Sequence, residues 1–106
     1  MSDREQIAAL GRQPAPTPSI GDVWLEVIDS LPAGDPLRPM CEARRALGIA
    51  RYGVPLQRGN GRDTGRDLEE EALDLLAYAQ ADGDLVVVSA TLAILRHRQR
   101  RAEALR

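Results

Sequence analysis

The residues best placed to do chemistry are carboxylates: Asp63, Asp67, Glu69, Glu70, Glu71 and Asp74 crowd into one stretch that then turns apolar. On a helix advancing roughly 100° per residue, with Asp67 at zero, Glu71 falls near about 40°, Asp74 near about 340° and Glu70 near about 300°. Those four acids share one face, with Tyr78 in line a turn later, while Glu69 points the other way. Like charges at i, i+3 and i+4 repel by about 0.2–0.5 kcal/mol per exposed pair, so something must compensate. One compensation is solvent, the helix macrodipole and ion pairs with Arg62, Arg66, Arg44 or Arg45. The other is a hard divalent cation, because Mg²⁺ takes carboxylate oxygens and keeps water or phosphate oxygens in its remaining positions. Periodicity alone favours the first, although Glu71 and Asp74 form an E-x-x-D pair able to share an ion.

These residues need a helix, and the flanking sequence supplies its limits. Asp63 or Thr64 caps a third helix over residues 65–81, and the turn Asp82-Gly83-Asp84 ends it. Upstream, Ser19 is the expected cap of a first helix over 20–30, with Asp22 in a capping-box-like position and Val23, Trp24, Val27 and Ile28 as its apolar stripe. Pro32, Gly34 and Pro36 break the chain. A second helix begins near Asp35 or Arg38 and runs to about Arg51, with Met40, Ala43, Leu47 and Ala50 recurring at helical spacing. Gly53 ends it, and 54–61 form a loop containing Pro55 and Asn60-Gly61. The final segment, from Leu85 to about Ala104, is β-branched at its start, but its length and Arg-rich continuation favour a helix. The expectation is an all-α domain of four helices over 19–106, preceded by a mobile arm or extended strap, 1–18, that carries Pro14, Pro16 and Pro18.

Composition narrows the function classes. The 106 residues suffice for one small domain whose isolated core is modest, so long apolar helices are expected to bury themselves against a partner subunit. Hydrophobic residues at 43% and charged residues at 28% indicate a globular chain, not a disordered one. The three aromatics, Trp24, Tyr52 and Tyr78, argue against base-stacking platforms. All fourteen basic residues are arginine, which excludes a Schiff-base or P-loop lysine. The lone Cys41 allows no internal disulfide, fits a reducing cytoplasm, and suits a small core position. The opening MSDREQ lacks a signal-peptide pattern, and the apolar run of 85–95 is too short to span a bilayer.

The spaced residues Arg51-Tyr52-Gly53, Leu56, Asn60-Gly61-Arg62-Asp63, Asp67 and Glu71-Ala72-Leu73-Asp74-Leu75 with Tyr78 resemble small phage and bacterial MazG-like proteins, of the all-α nucleoside triphosphate pyrophosphohydrolase superfamily. The likeness covers about residues 40–80. It implies a four-helix MazG-like bundle completed by oligomerisation as a homodimer or homotetramer. It also implies Mg²⁺-dependent, or Mn²⁺-dependent, hydrolysis of a (deoxy)nucleoside triphosphate to monophosphate and pyrophosphate. By position, Glu71 and Asp74 match the E-x-x-D half of the metal signature, and Asp67 and Glu70 become candidates for ligation or for orienting water as the general base. The family's E-x-x-E pair on the preceding helix is represented by Glu42 alone, with Arg45 at the second acid's place.

Other residues carry two readings. Arg62 and Arg66 suit triphosphate oxygens or ion pairs equally well. Asn60 can present its amide to a ligand, though a simple turn is favoured. Tyr52 can stack on a base, though packing between helices is favoured. His97 lacks partners for catalysis. The tail, with five arginines from Arg96 to Arg106, offers a rival function in nucleic-acid association, with a solvated helix end favoured over it. A further rival, supported by Arg45, is a non-catalytic helical assembly module that keeps the fold without a full metal shell.

Overall fold

The structure is a computed structural model and describes residues 13–105, so residues 1–12 of the expected arm lie outside the described residues. Four helices and no strand occur among the described residues: α1, Val23–Ser30; α2, Leu37–Tyr52; α3, Thr64–Asp82; and α4, Leu85–Ala104. No helix among them is long and apolar enough to cross a membrane. The all-α expectation stands. The chain divides into two compact units, one ending at Arg62 and the other beginning at Asp63.

In the first unit α1 packs on α2. The cap of α1 is Asp22, not Ser19: its Oδ1 accepts from Leu25 N at 3.0 Å. Gly21, at φ 91°, sets the chain direction just before the cap, and the Ser19 amide is used elsewhere, donating to Gln57 Oε1. Ile28 is the buried residue of α1. In α2, Asp35 Oδ1 accepts from Leu37 N, which stabilises the first turn where Pro36 and Pro39 lack donors. Its other end is closed by Gly53, whose amide donates to Ile49 O.

The expected apolar stripe of α2 faces outward. Met40 and Leu47 are 62% and 57% exposed, and Ala43 and Ala50 are exposed as well. The half-buried positions are instead Arg38, Cys41, Arg45, Gly48 and Ile49, spaced three or four apart. Two arginines cause the rotation. Arg38 Nη1 donates to Leu31 O at 2.8 Å, and Arg45 reaches Asp22, so their aliphatic stems lie where an apolar stripe was expected. Cys41 is half-buried, short of the core position anticipated for it.

The second unit is a helical hairpin of α3 on α4. Asp63 caps α3 by accepting from Arg66 N, and Asp84 caps α4 by accepting from Val87 N. Between them Gly83, at φ 73°, takes the left-handed conformation that a tight turn requires. The buried residues are small: Ala72 and Ala79 in α3, Thr91 in α4. Thr91 is 1% exposed, and its hydroxyl is satisfied within its own helix by donating to Val87 O at 2.7 Å. Thus a β-branched run folds as a helix: a cap starts it, and small side chains in α3 leave room for it.

Candidate functional site

The α3 wheel fixes what each acid can do. Ala72 and Ala79 mark the buried side of the helix, and Glu69 lies near that side, where its Oε1 accepts from Arg98 Nε at 3.2 Å. Arg98 is 17% exposed at its side chain and runs close to the start of α3; a Cβ on Gly65 would meet its Nη2 at 2.7 Å. Gly65 therefore makes room for a guanidinium from the opposite helix. Glu70, Glu71 and Asp74 are exposed on the other side, Asp67 is half-buried, and Tyr78 is 74% exposed.

Within that outward face the acids are not equivalent. Glu70 Oε1 accepts from Arg66 Nε at 3.0 Å, an exposed i,i+4 pair that offsets part of the repulsion. Glu71 and Asp74 make no ion pair among the described residues. No group of three or more His, Cys, Asp or Glu side chains capable of holding a metal ion occurs among the described residues. A two-carboxylate foothold nevertheless fits Mg²⁺, which commonly binds through one or two carboxylates and fills its other positions with water and phosphate oxygens. It does not fit Zn²⁺, which wants a nitrogen or sulfur shell.

The first unit holds the other candidates. Glu42 is exposed on α2 and Tyr52 ends the same helix, about 15 Å further along its axis, so the two do not meet one small ligand. Tyr52 is 46% exposed with the Arg51 guanidinium 5.2 Å from its ring centroid, which replaces the expected packing between helices. Arg45, at the place of the family's second acid, is fully committed: Nε and Nη2 both lie 2.8 Å from Asp22 Oδ2, with the two side chains 32% and 15% exposed. That position is part of the α1–α2 lock.

Asn60 is 3% exposed, so its expected part in ligand binding meets a residue built into the loop. Its carbonyl accepts from Thr17 N at 2.8 Å and from Thr17 Oγ1 at 3.1 Å, and its Oδ1 accepts from Arg62 N. Arg62 Nη1 donates to Pro14 O at 2.7 Å. Gln57, which gave no signal in the sequence, is buried and bonds at both ends of its amide, to Ser19 N and to Gly21 O.

A groove of about 470 Å³ lies between α3 and α4, lined by Leu73, Leu76, Leu92 and Leu95, with Arg96 and Gln99 at its rim. None of Asp67, Glu70, Glu71 or Asp74 contributes to it. Its wall also includes Ala102 and the paired Glu69 and Arg98, so the groove is mainly apolar with charged groups among its lining residues. His97, Arg96, Arg100 and Arg101 are exposed, and Arg98 is half-buried. No protein-family model matches the chain, and no curated protein or solved structure matches it.

Proposed function

We propose that the chain hydrolyses (deoxy)nucleoside triphosphates to the monophosphate and pyrophosphate with Mg²⁺, as a homodimer or homotetramer of MazG-like helical bundles. The observation that carries this reading is the division of labour on α3: Glu69 is paired with Arg98 of α4, while Glu71 and Asp74 stand outward, one turn apart and without ion pairs among the described residues. The spaced resemblance over about residues 40–80 centres on the same residues.

In this mechanism Glu71 and Asp74 would hold the ion. Bound Mg²⁺ supplies charge neutralisation of the triphosphate and a more acidic water. Either Asp67 or Glu70 accepts the proton of the attacking water while the other orients it, and the water oxygen bonds to the α-phosphorus. The α–β phosphoanhydride bond breaks, and pyrophosphate leaves with the electron pair. Arg66 holds Glu70 and would also suit a phosphate oxygen, so substrate binding that recruits Arg66 releases Glu70 for proton transfer. Tyr52 is exposed at the end of α2.

Oligomerisation draws support from what each unit leaves uncovered. Met40 and Leu47 on α2, and Leu68, Leu73, Leu75 and Ile94 in the hairpin, are all more than 40% exposed, while among the described residues the buried hydrophobic ones are Ile28, Ala72 and Ala79. A chain with so small a core and so much apolar helix surface is completed by a partner. Leu47→Glu should shift sedimentation towards monomer; an unchanged mass would remove α2 from the interface.

Arg45 favours a second reading, a non-catalytic assembly module, because the place of a second acid is a structural ion pair. Pyrophosphate release from nucleoside triphosphates, lost in Glu71→Gln, separates the two: an oligomer that releases none with any triphosphate is the assembly module.

A further inference from the structure

The groove between α3 and α4 has charged edges in a definite order. Leu73, Leu76, Leu92 and Leu95 form its apolar wall, and Leu73 is 55% exposed. With Asp67 at zero on the α3 wheel, Leu73 falls near about 240°, Arg66 near about 260° and Glu70 near about 300°. Arg66 and Glu70 therefore border the leucines along the α3 edge, joined to each other at 3.0 Å. With the buried Thr91 at zero on the α4 wheel, Leu95 and Leu92 fall near about 40° and about 100°, and Glu103 and Arg96 near about 120° and about 140°. Arg96 itself lines the groove, and Glu103 is exposed further along the same edge. The bond from Arg98 to Glu69 sets the level of one helix against the other. At a rise of about 1.5 Å per residue in opposite directions, Glu70 lies within about 2 Å of the level of Arg96, and Arg66 within about 3 Å of that of Glu103. Each level thus carries an acid on one edge and an arginine on the other.

We propose that the groove seats a second copy of the chain, packed groove to groove about a two-fold axis parallel to the helices, so that α3 of each copy lies on α4 of the other. This rests on the reading of the chain as an oligomer and not on its hydrolytic activity. A two-fold of this kind keeps every residue at its own level. The second copy's Glu70 then faces Arg96, and its Arg66 faces Glu103, so opposite charges meet at both levels along both edges. The other self-complementary docking has its axis across the helices, through the middle of the leucines. It lays α3 on α3 and would bring Glu70 to the level of Leu76 and Arg96 to that of Leu92, with no opposite charge for either. The packing proposed makes every neighbouring pair of helices antiparallel, which their macrodipoles favour, and closes the leucines into the core of an up-down four-helix bundle. Glu71, Asp74 and Tyr78 lie outside that core, on the other side of the α3 wheel from Leu73.

The test is sedimentation equilibrium of the full chain and of two charge exchanges that leave the net charge unchanged. One exchange is within α3, Arg66→Glu with Glu70→Arg; the other is within α4, Arg96→Glu with Glu103→Arg. Either one turns every edge contact of its own dimer repulsive and should weaken that dimer by about tenfold, or about 1.4 kcal/mol. Mixing the two exchanged chains in equal amounts should restore the wild-type affinity. In the mixed dimer one α3–α4 contact carries both exchanges and the other carries neither, so opposite charges meet again in both. Leu73→Glu places a charge in the core and should weaken the dimer by about a hundredfold, whereas Leu75→Glu, on the other side of the hairpin, should leave it intact; this pair decides the matter if an exchange does not fold. Exchanged chains that do not recover on mixing would overturn the packing of α3 on the second copy's α4. A dimer that keeps its affinity in Leu73→Glu, or loses it only in Leu75→Glu, would overturn the groove as the interface and leave the oligomer standing. A wild-type chain that is monomeric at every concentration would overturn the oligomer and this interface together, with pyrophosphate release still to be read on its own.

Discussion

Removing the Arg45–Asp22 pair should loosen α1 from α2 by an amount the geometry bounds. Two guanidinium nitrogens meet one carboxylate oxygen at 2.8 Å, and Asp22 Oδ1 is still occupied by the Leu25 amide. Unit charges about 4 Å apart at an effective dielectric of 20 attract by about 4 kcal/mol, and desolvation takes back most of this. Asp22 keeps 15% of its side-chain exposure and Arg45 32%, so water screens part of the remainder and about 1–2 kcal/mol survives. The test is a double-mutant cycle of Arg45→Ala and Asp22→Asn, the asparagine preserving the cap, with stability read from urea unfolding. The coupling should be about 1 kcal/mol, and each single variant should lower the melting temperature by several degrees. A coupling within about 0.3 kcal/mol of zero would mean the pair is an ordinary surface contact. Arg45 would then be free to be something other than a lock.

Ala72→Leu forces a larger side chain into the α3–α4 contact and should cost about 1–3 kcal/mol in urea unfolding; a neutral result would show that the hairpin is loosely packed there. Arg98→Ala should destabilise by about 1 kcal/mol, whereas Arg100→Ala and Arg101→Ala, on exposed positions, should stay within about 0.5 kcal/mol; equal effects would remove the special place of Arg98. Glu71→Gln should abolish triphosphate turnover while leaving the unfolding midpoint unchanged or raised, since it relieves repulsion as well as removing a ligand; retained turnover would remove Glu71 from the metal site.

The helices were legible because local signals agreed on them. Asp63 caps α3 and the Asp82-Gly83-Asp84 turn separates it from α4 at the expected residues, and periodicity set Glu69 on a different face from Glu70, Glu71 and Asp74 before any contact was known. Where two caps competed, at Ser19 and Asp22, the choice turned on a tertiary bond from Ser19 to Gln57, 38 residues away, which no local rule contains. The outward direction of the α2 stripe has a related cause. Periodicity found Met40, Ala43, Leu47 and Ala50 as a face, but which face turns inward was decided by Arg38 and Arg45 finding acceptors on or beside α1. Arg98 and Gly65 carried a readable clue only as a pair, a glycine early in a helix and a long side chain in the next, and their meeting depends on the hairpin itself. The Asn60-Gly61 turn forms with Asn60 buried in it, whereas the hydrogen bonds it receives from Thr17 became visible only in three dimensions.

The central claim is tested most directly by pyrophosphate release from a panel of ribo- and deoxyribonucleoside triphosphates with Mg²⁺, Mn²⁺ or EDTA. Release that needs the metal and is abolished by EDTA is the expected result, with the ranking across the panel identifying base and sugar. Silence across the panel, from folded protein, would contradict the account and leave a helical assembly module.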